Sequence, residues 1–473
     1  MHLAGHKTSD RLGRSLIASG VGPFASQVFA IALIPLLFRL YTPDDFGVWA
    51  AIQAVAITGG SLLSFRFDLG LMLERNVEAA SHLLMASISV VCLMSVVVGV
   101  FAGISVRALA QFGIGPMFTV LGWAWLSLVG LGVVLQAWLM RDGAFAHLSI
   151  GLLLNATVAN LVQLGGGLSG NGVWLVIGSL AGQAVATLFY AQGIRRCADR
   201  PICSIDRKEM LAALLRNRRF VQFSLPFTVM SLVRERVPVF IVGSFCSAAL
   251  VGLYSQSWRL THLPSALTSA ALRPVFFHRA ATYGLAAQVQ AVDQIVRGLL
   301  IASSPWIALL AFGGDDLFVI VLGRQWNGAG WFAGMLSVPA AFFMTTNWMD
   351  RLLDVIGRQD LNLKLEAVAG ISSVGGLCLV LAAGHSLAEA IAMQATMLTL
   401  SYLAFLAVCY QAAGWPRLGL AAAISAASIL GAIIYLTLSV LGSFLDRIQL
   451  LGMGATAAGL MTATVLWKAR RAI

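Results

Sequence analysis

The chain has 473 residues, of which 59% are hydrophobic and only 11% are charged, and its mean hydropathy is +0.86. A soluble domain carries about 25% charged residues, so this chain has too few polar side chains to cover a water-exposed surface. In a soluble protein the net charge of +11 would suggest nucleic acid. In a membrane chain it reflects the Lys and Arg that collect in cytoplasmic loops. We therefore predict a membrane protein that binds no nucleic acid.

Apolar stretches long enough to cross a bilayer, about 20 residues each, recur along the whole chain. Strand-like alternation is rare, which favours helices over an outer-membrane barrel. The N-terminal stretch resembles the start of a signal peptide, but it continues to about Phe38 and we interpret it as an uncleaved first span. The fourteen predicted spans are 15–38, 46–65, 79–105, 116–139, 145–168, 172–194, 220–245, 250–272, 288–312, 331–349, 366–384, 387–410, 418–440 and 448–467.

The basic residues predict the orientation of these spans. With the N-terminus inside, the inner segments hold 22 of the 31 Lys and Arg residues and the outer loops hold 4. This bias predicts a multi-pass membrane protein with both termini in the cytoplasm. The longest inner loop, 195–220, is strongly basic and predicts a short helix on the membrane surface near anionic lipid. The longest outer loop is predicted at 313–330.

The two halves of the chain are weakly similar. Phe46-Gly47-Val48-Trp49 can be aligned with Val251-Gly252-Leu253-Tyr254, each at the start of a span. Six spans per unit return the chain to the same side, so the repeats would be parallel. We therefore predict an all-α polytopic protein with two six-helix lobes around a central cavity and two extra C-terminal helices. The predicted segments are an N-lobe at 1–194, a cytoplasmic basic linker at 195–219, a C-lobe at 220–410, and spans 13 and 14 with a cytoplasmic tail at 411–473.

Motifs of soluble enzymes are missing from the sequence. It contains neither a Gly-rich loop ending in GK[ST] nor an HExxH motif. The six Cys are scattered and form no metal-ligand pattern with His. We predict no catalytic residues, no metal site and no cofactor.

Three consecutive charges, Arg234, Glu235 and Arg236, interrupt the predicted span 220–245. A charge at mid-bilayer costs about 2.5–3.5 kcal/mol on insertion scales, so these residues need compensation. One hypothesis is an anion site between the lobes, and the alternative is a structural salt bridge through Glu235. On a helix the two arginines point about 200° apart. We expect one to meet substrate and the other to pair with an acid, and the sequence leaves open which. Pro238 cannot donate a hydrogen bond to the carbonyl of Arg234, which predicts a kink.

Three further charges complete the candidate site. Arg259 lies in the middle of the predicted span 250–272, and Arg66 lies toward the cytoplasmic end of span 2. We assign both to a cationic cavity together with Arg234 and Arg236. Asp68, like Glu235, is a candidate for a coupling or pairing acid, and a purely local pair between Arg66 and Asp68 remains an equal alternative.

Three stretches, in this order, resemble the bacterial polysaccharide (O-antigen and exopolysaccharide) flippases of the multidrug/oligosaccharidyl-lipid/polysaccharide transporter superfamily. They are LYTPDDFGVWAAIQAVAITGGSLLSFRFDLGLMLE, RFVQFSLPFTVMSLVRERVPVFIVGSFCSAALVGLYSQSWRLTHLPSAL, and VLGRQWNGAGWFAGMLSVPAAFF followed by LDVIGRQ. The resemblance implies a two-lobed helical fold that moves a polyprenyl-diphosphate-linked oligosaccharide to the periplasmic leaflet by alternating access. It also implies contact with membrane lipids, and with a polysaccharide polymerase and chain-length proteins. Many members are assigned twelve spans, where fourteen are predicted here.

Two alternative functions remain open at this point. A drug or ion-coupled efflux transporter of the same superfamily would use buried acids for cationic drugs, and acids are scarce in the lobes. A membrane-embedded polysaccharide polymerase or ligase would need reactive groups in a sizeable outer loop, and the outer loops are short.

Overall fold

The computed structural model describes residues 33–74, 76–106, 115–197, 206–283, 288–349, 352–356, 358–442 and 446–472. Within these ranges the chain is helical apart from short connections and contains no strand, so the predicted all-α class is confirmed. The helices are α1 (33–40), α2 (Pro43–Leu62), α3 (Phe67–Leu73), α4 (Val77–Ile104), α5 (Pro116–Arg141), α6 (Phe145–Gly167), α7 (Val173–Ile194), α8 (Arg207–Arg216), α9 (Leu225–Phe245), α10 (Ala248–Tyr283), α11 (Val289–Leu322), α12 (Ala329–Thr346), α13 (Leu352–Val355), α14 (Gln359–Ala382), α15 (Leu387–Ala412), α16 (Arg417–Leu441) and α17 (Arg447–Ala472).

Local sequence explains where several helices begin. Thr42 accepts a hydrogen bond from the backbone N–H of Asp45, and the Asp45 carboxylate accepts one from the N–H of Thr42 at 2.9 Å, which forms a capping box. Ser386 and Glu389 repeat this arrangement at the start of α15. Such caps satisfy N–H groups that the first helical turn leaves unpaired. In a membrane protein they mark where a span meets the interface.

Nine of the described helices are long and apolar enough to cross a membrane, namely α4, α5, α6, α7, α11, α12, α14, α15 and α16. The protein is therefore a multi-pass membrane protein. Helices α9 and α10 fill predicted spans 7 and 8 but are not among the nine, because charged and polar residues interrupt their apolar sequence. Polar residues in spans of this length mark functional paths through a membrane protein.

The described chain forms two compact units, Met1–Gly252 and Leu253–Ile473. In the first unit, α7 packs against α5 and α6, and α5 also packs against α2. Trp138 and Tyr190 are among its fully buried side chains. The predicted boundaries at the basic linker 195–219 stay a prediction.

In the second unit, α11 packs against α12, α16 and α17, while α15 packs against α12 and α14. Trp348 and Tyr410 belong to a buried apolar cluster of this unit. Helix α11 bends at Gly313, where the backbone leaves the helical region, and then continues to Leu322. The predicted outer loop 313–330 is thus largely helical.

Candidate functional site

The predicted second span is broken between α2 and α3. Phe65 and Arg66 both have left-handed backbone angles, with φ of 48° and 63°. Such a conformation in a non-glycine residue costs about 1–3 kcal/mol and occurs at functional sites more often than elsewhere. The turn is closed by bonds from Phe65 N to the Leu62 carbonyl at 2.9 Å and from Phe67 N to the Ser64 carbonyl at 3.0 Å.

This break brings Arg66 and Asp68 together. Their side chains approach to 3.6 Å, and the fully buried Ser64 hydroxyl donates a 2.7 Å hydrogen bond to Asp68. Asp68 is 3% exposed, whereas the Arg66 side chain is 22% exposed. The Nε atom of Arg66 is buried without a hydrogen-bond partner. Asp68 is therefore fully engaged in the turn, while part of the Arg66 guanidinium remains accessible.

On α9, the two arginines have different surroundings. Arg234 is 6% exposed and lies 3.8 Å from the carboxylate of Glu235. Arg236 has no ion-pair partner within the described ranges, and its Nε atom is buried without a hydrogen bond. Helix α9 continues through Pro238, so both arginines stand on one helix and face different directions. Of the two, Arg236 is the arginine left without a carboxylate.

Helix α9 follows directly on a π-helical turn at Phe220–Ser224. Single turns of this kind occur mostly at functional sites, because they shift the register of the following side chains. The π turn packs against α3 and α9 packs against α2. The helix break and the charged segment therefore belong to neighbouring elements of the first unit.

Depth along the helices separates these charges. Arg236 lies nine residues before the end of α9, about 14 Å from the predicted outer end. Arg66 lies seven residues before the end of α3, about 10 Å from the opposite end of its span. The first unit thus offers cations at two levels, one in the middle of a helix and one nearer the predicted cytoplasmic side.

Arg259 belongs to the second unit, eleven residues into α10 or about 16 Å from its start. Around it, the Tyr254 hydroxyl donates to Gln394 at 3.0 Å and the Ser257 hydroxyl donates to the Ala329 carbonyl at 2.6 Å. The rings of Trp258 and His262 stack at 4.1 Å. The run of polar residues that carries Arg259 is therefore tied to α12 and α15.

Sequence reasoning identified the charges but missed Ser64 and Phe65, which shape the break. One signal was available: Arg66 and Asp68 are two residues apart, and on a continuous helix such residues point about 200° from each other. An ion pair at this spacing requires a non-helical turn. Among the described residues, no group of three or more His, Cys, Asp or Glu side chains could hold a metal ion.

Comparison with known proteins identifies the family. Residues 36–330, more than half of the chain, match the family described as polysaccharide biosynthesis protein. The chain belongs to this family. The resemblance to a polysaccharide family that the three sequence stretches predicted is thereby confirmed. No curated protein matches the sequence significantly.

Solved structures give the fold of this family member. The chain is similar to the lipid II flippase MurJ in an inward closed conformation, with a TM-score of 0.74, 12% identity, and coverage of 95% of this chain and 98% of that one. It is also similar to an inward-facing MATE family multidrug resistance transporter of the MOP superfamily, with a TM-score of 0.52, 16% identity, and coverage of 85% and 94%. The Vibrio cholerae MATE transporter VcmN gives a TM-score of 0.51, 13% identity, and coverage of 86% and 96%. At these identities the likeness concerns the fold.

Proposed function

We propose that the protein is a flippase that carries a polyprenyl-diphosphate-linked oligosaccharide across a bacterial inner membrane for the synthesis of a surface polysaccharide. The family assignment to polysaccharide biosynthesis and the likeness in fold to a lipid II flippase support this proposal. The observation that carries it is Arg236, a cation in the middle of a long helix that forms no ion pair within the described residues, since Glu235 pairs with Arg234 instead.

The chemistry of the substrate fits such a residue. A diphosphate presents several anionic oxygens, and a guanidinium donates two parallel hydrogen bonds to such groups. Arg236 is partly buried and its Nε atom has no hydrogen-bond partner, and a charge without an ion pair in the middle of a span is unfavourable, so an anion that arrives during transport would satisfy it. The same positive charge would repel a cationic solute.

Arg66 extends this site toward the cytoplasmic side. Part of its guanidinium remains accessible beside the Asp68 carboxylate, and the strained turn fixes its position. We assign it to the first contact with the diphosphate, with Arg234 and Arg236 deeper along the path, and we propose Arg259 as a further substrate contact. The lipid tail would stay in the bilayer while the lobes rock about the headgroup to give alternating access. Both termini would lie in the cytoplasm.

The environment of the acids argues against efflux of cationic drugs. Asp68 is held by Ser64 and Arg66, and Glu235 lies beside Arg234. Neither carboxylate is therefore available as a lone buried anion for a cationic drug. Their pairing favours structural roles, and a coupling role for either would require the pair to open.

The test is transport in proteoliposomes that contain a polyprenyl diphosphate bearing a fluorescent oligosaccharide. We expect Arg236→Gln to abolish flipping and Arg236→Lys to retain part of it, at unchanged protein levels. Arg358→Gln is the matched control, because Arg358 is an exposed arginine paired with Asp360. Full activity of Arg236→Gln would overturn the proposal. A deletion strain that displays single, unpolymerised repeat units on its surface would instead indicate a polymerase.

A further inference from the structure

Helix α8 presents a face that no element of the described chain covers. Ala213, on one side of this ten-residue helix, is 1% exposed, and α8 packs against α4. Leu211 and Leu215 are each 59% exposed. At about 100° per residue, both leucines lie roughly 160° from Ala213, on the side of the helix away from its buried contact. They stand one turn apart and form a continuous apolar pair.

Basic side chains flank this apolar pair on both sides. Arg207 lies about 40° from Leu211, and Lys208 lies about 20° from Leu215 around the helix axis. Both are exposed. Arg216, at the end of α8, is exposed as well. The result is an apolar stripe with a cationic border, the pattern of a helix that lies in the interface of an anionic membrane.

The acidic residues are kept away from this stripe. The Asp206 carboxylate caps α8 by accepting a 2.9 Å hydrogen bond from the N–H of Lys208. Glu209 is exposed, but it lies about 40° from Ala213 and at least about 120° from both leucines around the helix axis. The leucine stripe is therefore bordered by Arg207 and Lys208, while the carboxylates lie at the helix start and on another side, which gives the stripe complementarity to anionic groups.

The position of α8 relative to a span fits a membrane interface. The residue directly after α8 is Asn217, and a Cβ atom added to Gly70 would lie only 2.6 Å from its side-chain oxygen. Gly70 is three residues, or about 5 Å, from the end of α3 at Leu73. The C-terminal end of α8 is thus within about one helical turn of the level at which this span ends.

From these observations we propose that the Leu211–Leu215 face of α8 binds the anionic phospholipids of the leaflet at this end of the spans. The leucines insert among the acyl chains near the headgroups, and Arg207 and Lys208 contact headgroup phosphates. The interaction involves bulk lipid and is independent of the transported substrate.

The test is hydrogen–deuterium exchange of the full chain in nanodiscs of POPC alone and of POPC with about one-quarter POPG. We expect the amides of α8 to exchange on the order of ten-fold more slowly in the anionic discs, since each Lys or Arg near an anionic surface strengthens membrane binding. The slowing should disappear in about 0.5 M NaCl, where screening shortens to a few Å. It should also disappear in R207Q/K208Q.

The matched control is R358Q/K364Q, which removes two exposed charges on the same predicted side of the membrane. This variant should keep the full slowing in α8. Equal exchange in both lipids, or slowing that persists in R207Q/K208Q, would overturn the proposal. Slowing that needs added cytosolic protein and occurs without POPG would assign the face to a protein partner and overturn it equally. Size-exclusion profiles of each variant verify that the fold is intact.

Discussion

Gly47 and Gly252 make a reciprocal contact in the first unit. A Cβ on Gly47 would overlap the carbonyl of Ala248, and a Cβ on Gly252 would overlap the carbonyl of Pro43. Each carbonyl belongs to the residue four positions before the opposite glycine. Each helix therefore makes the same glycine-to-carbonyl contact with the other, as two identical elements do at a two-fold axis. These are the two glycines that the aligned repeats place in equivalent positions.

A second pair of contacts repeats between the halves, each within its own unit. Two residues after Gly47, the indole N–H of Trp49 donates to Ser179 at 3.0 Å. Two residues after Gly252, the hydroxyl of Tyr254 donates to Gln394 at 3.0 Å. In each case an aromatic donor on the second helix of a repeat bonds to its sixth. This correspondence supports the proposed internal repeat more strongly than the sequence alignment does.

The glycine contact yields the first prediction. Gly47→Val and Gly252→Val should each destabilise the protein by about 1–3 kcal/mol or more, because the new side chain would meet backbone that cannot rotate away. Thermal unfolding in detergent measures the effect. Gly165→Ala is the control, since a Cβ there meets nothing within 4 Å and should leave stability unchanged or slightly raised. A valine variant as stable as this control would contradict the close contact.

Removal of the two aromatic hydrogen-bond donors should lower the stability of the protein by unequal amounts. Trp49→Phe should cost little, because Ser179 also donates to the Leu175 carbonyl and accepts from Gln163. Tyr254→Phe should cost more, about 1–3 kcal/mol, because the amide nitrogen of Gln394 already lacks a partner and its oxygen would lose one too. Unfolding temperatures of the two variants in the same detergent provide the comparison. The reverse order would show that the amide finds another partner.

Hydropathy alone was sufficient to predict most of the long helices. Thirteen predicted spans coincide with described helices to within a few residues at most ends, and the first span lies largely outside the described residues. The differences arise from tertiary contacts. Gly313-Gly314-Asp315-Asp316 is typical of a turn, yet α11 only kinks at Gly313 and is helical again from Gly314. The carboxylate of Asp315 accepts bonds from the N–H groups of Gly328 and Trp331, both at 3.0 Å, which stabilises the helical path.

The candidate site was less predictable than the fold. Charge placement identified Arg66, Asp68, Arg234 and Arg236, because charged residues stand out in an apolar sequence. It could not identify the turn at Phe65, since neither Gly nor Pro marks that position. Which arginine has a carboxylate neighbour also depends on rotamers, and no sequence pattern specifies those. The sequence thus indicates where charge is buried, while the structure is needed to indicate which charge is paired.

Two double variants at the strained turn separate the effect of backbone strain on stability from the effect of the Arg66 charge. We expect Arg66→Gly/Asp68→Asn to be about 1 kcal/mol more stable than Arg66→Ala/Asp68→Asn, because glycine adopts a φ of 63° without strain. In both proteins the amide oxygen of the introduced asparagine would still accept the bond from Ser64. Chemical unfolding measures the difference, and equal stabilities would show that the turn relaxes.

The same two double variants test the role of Arg66 in transport. If its guanidinium contacts the diphosphate, both should fail to flip the fluorescent lipid, although neither leaves a buried charge unpaired. If Arg66 serves only to neutralise Asp68, both should be active. Asp68→Asn alone is the control, and under the first hypothesis it should keep most of its activity because the guanidinium is retained.

Substitution of Arg234 and substitution of Arg236 should have different effects on stability and on flipping. Arg234 is almost fully buried beside Glu235, so Arg234→Gln should lower stability by about 1–3 kcal/mol through the lost interactions of an enclosed group. Arg236 lacks such a carboxylate in the described chain, so Arg236→Gln should leave stability unchanged or raise it while flipping is lost. Unfolding temperature and initial flipping rate, measured on the same preparations, separate the two effects. Loss of stability in Arg236→Gln, with flipping proportional to the remaining folded protein, would assign this arginine to the structure and leave the substrate without its central contact.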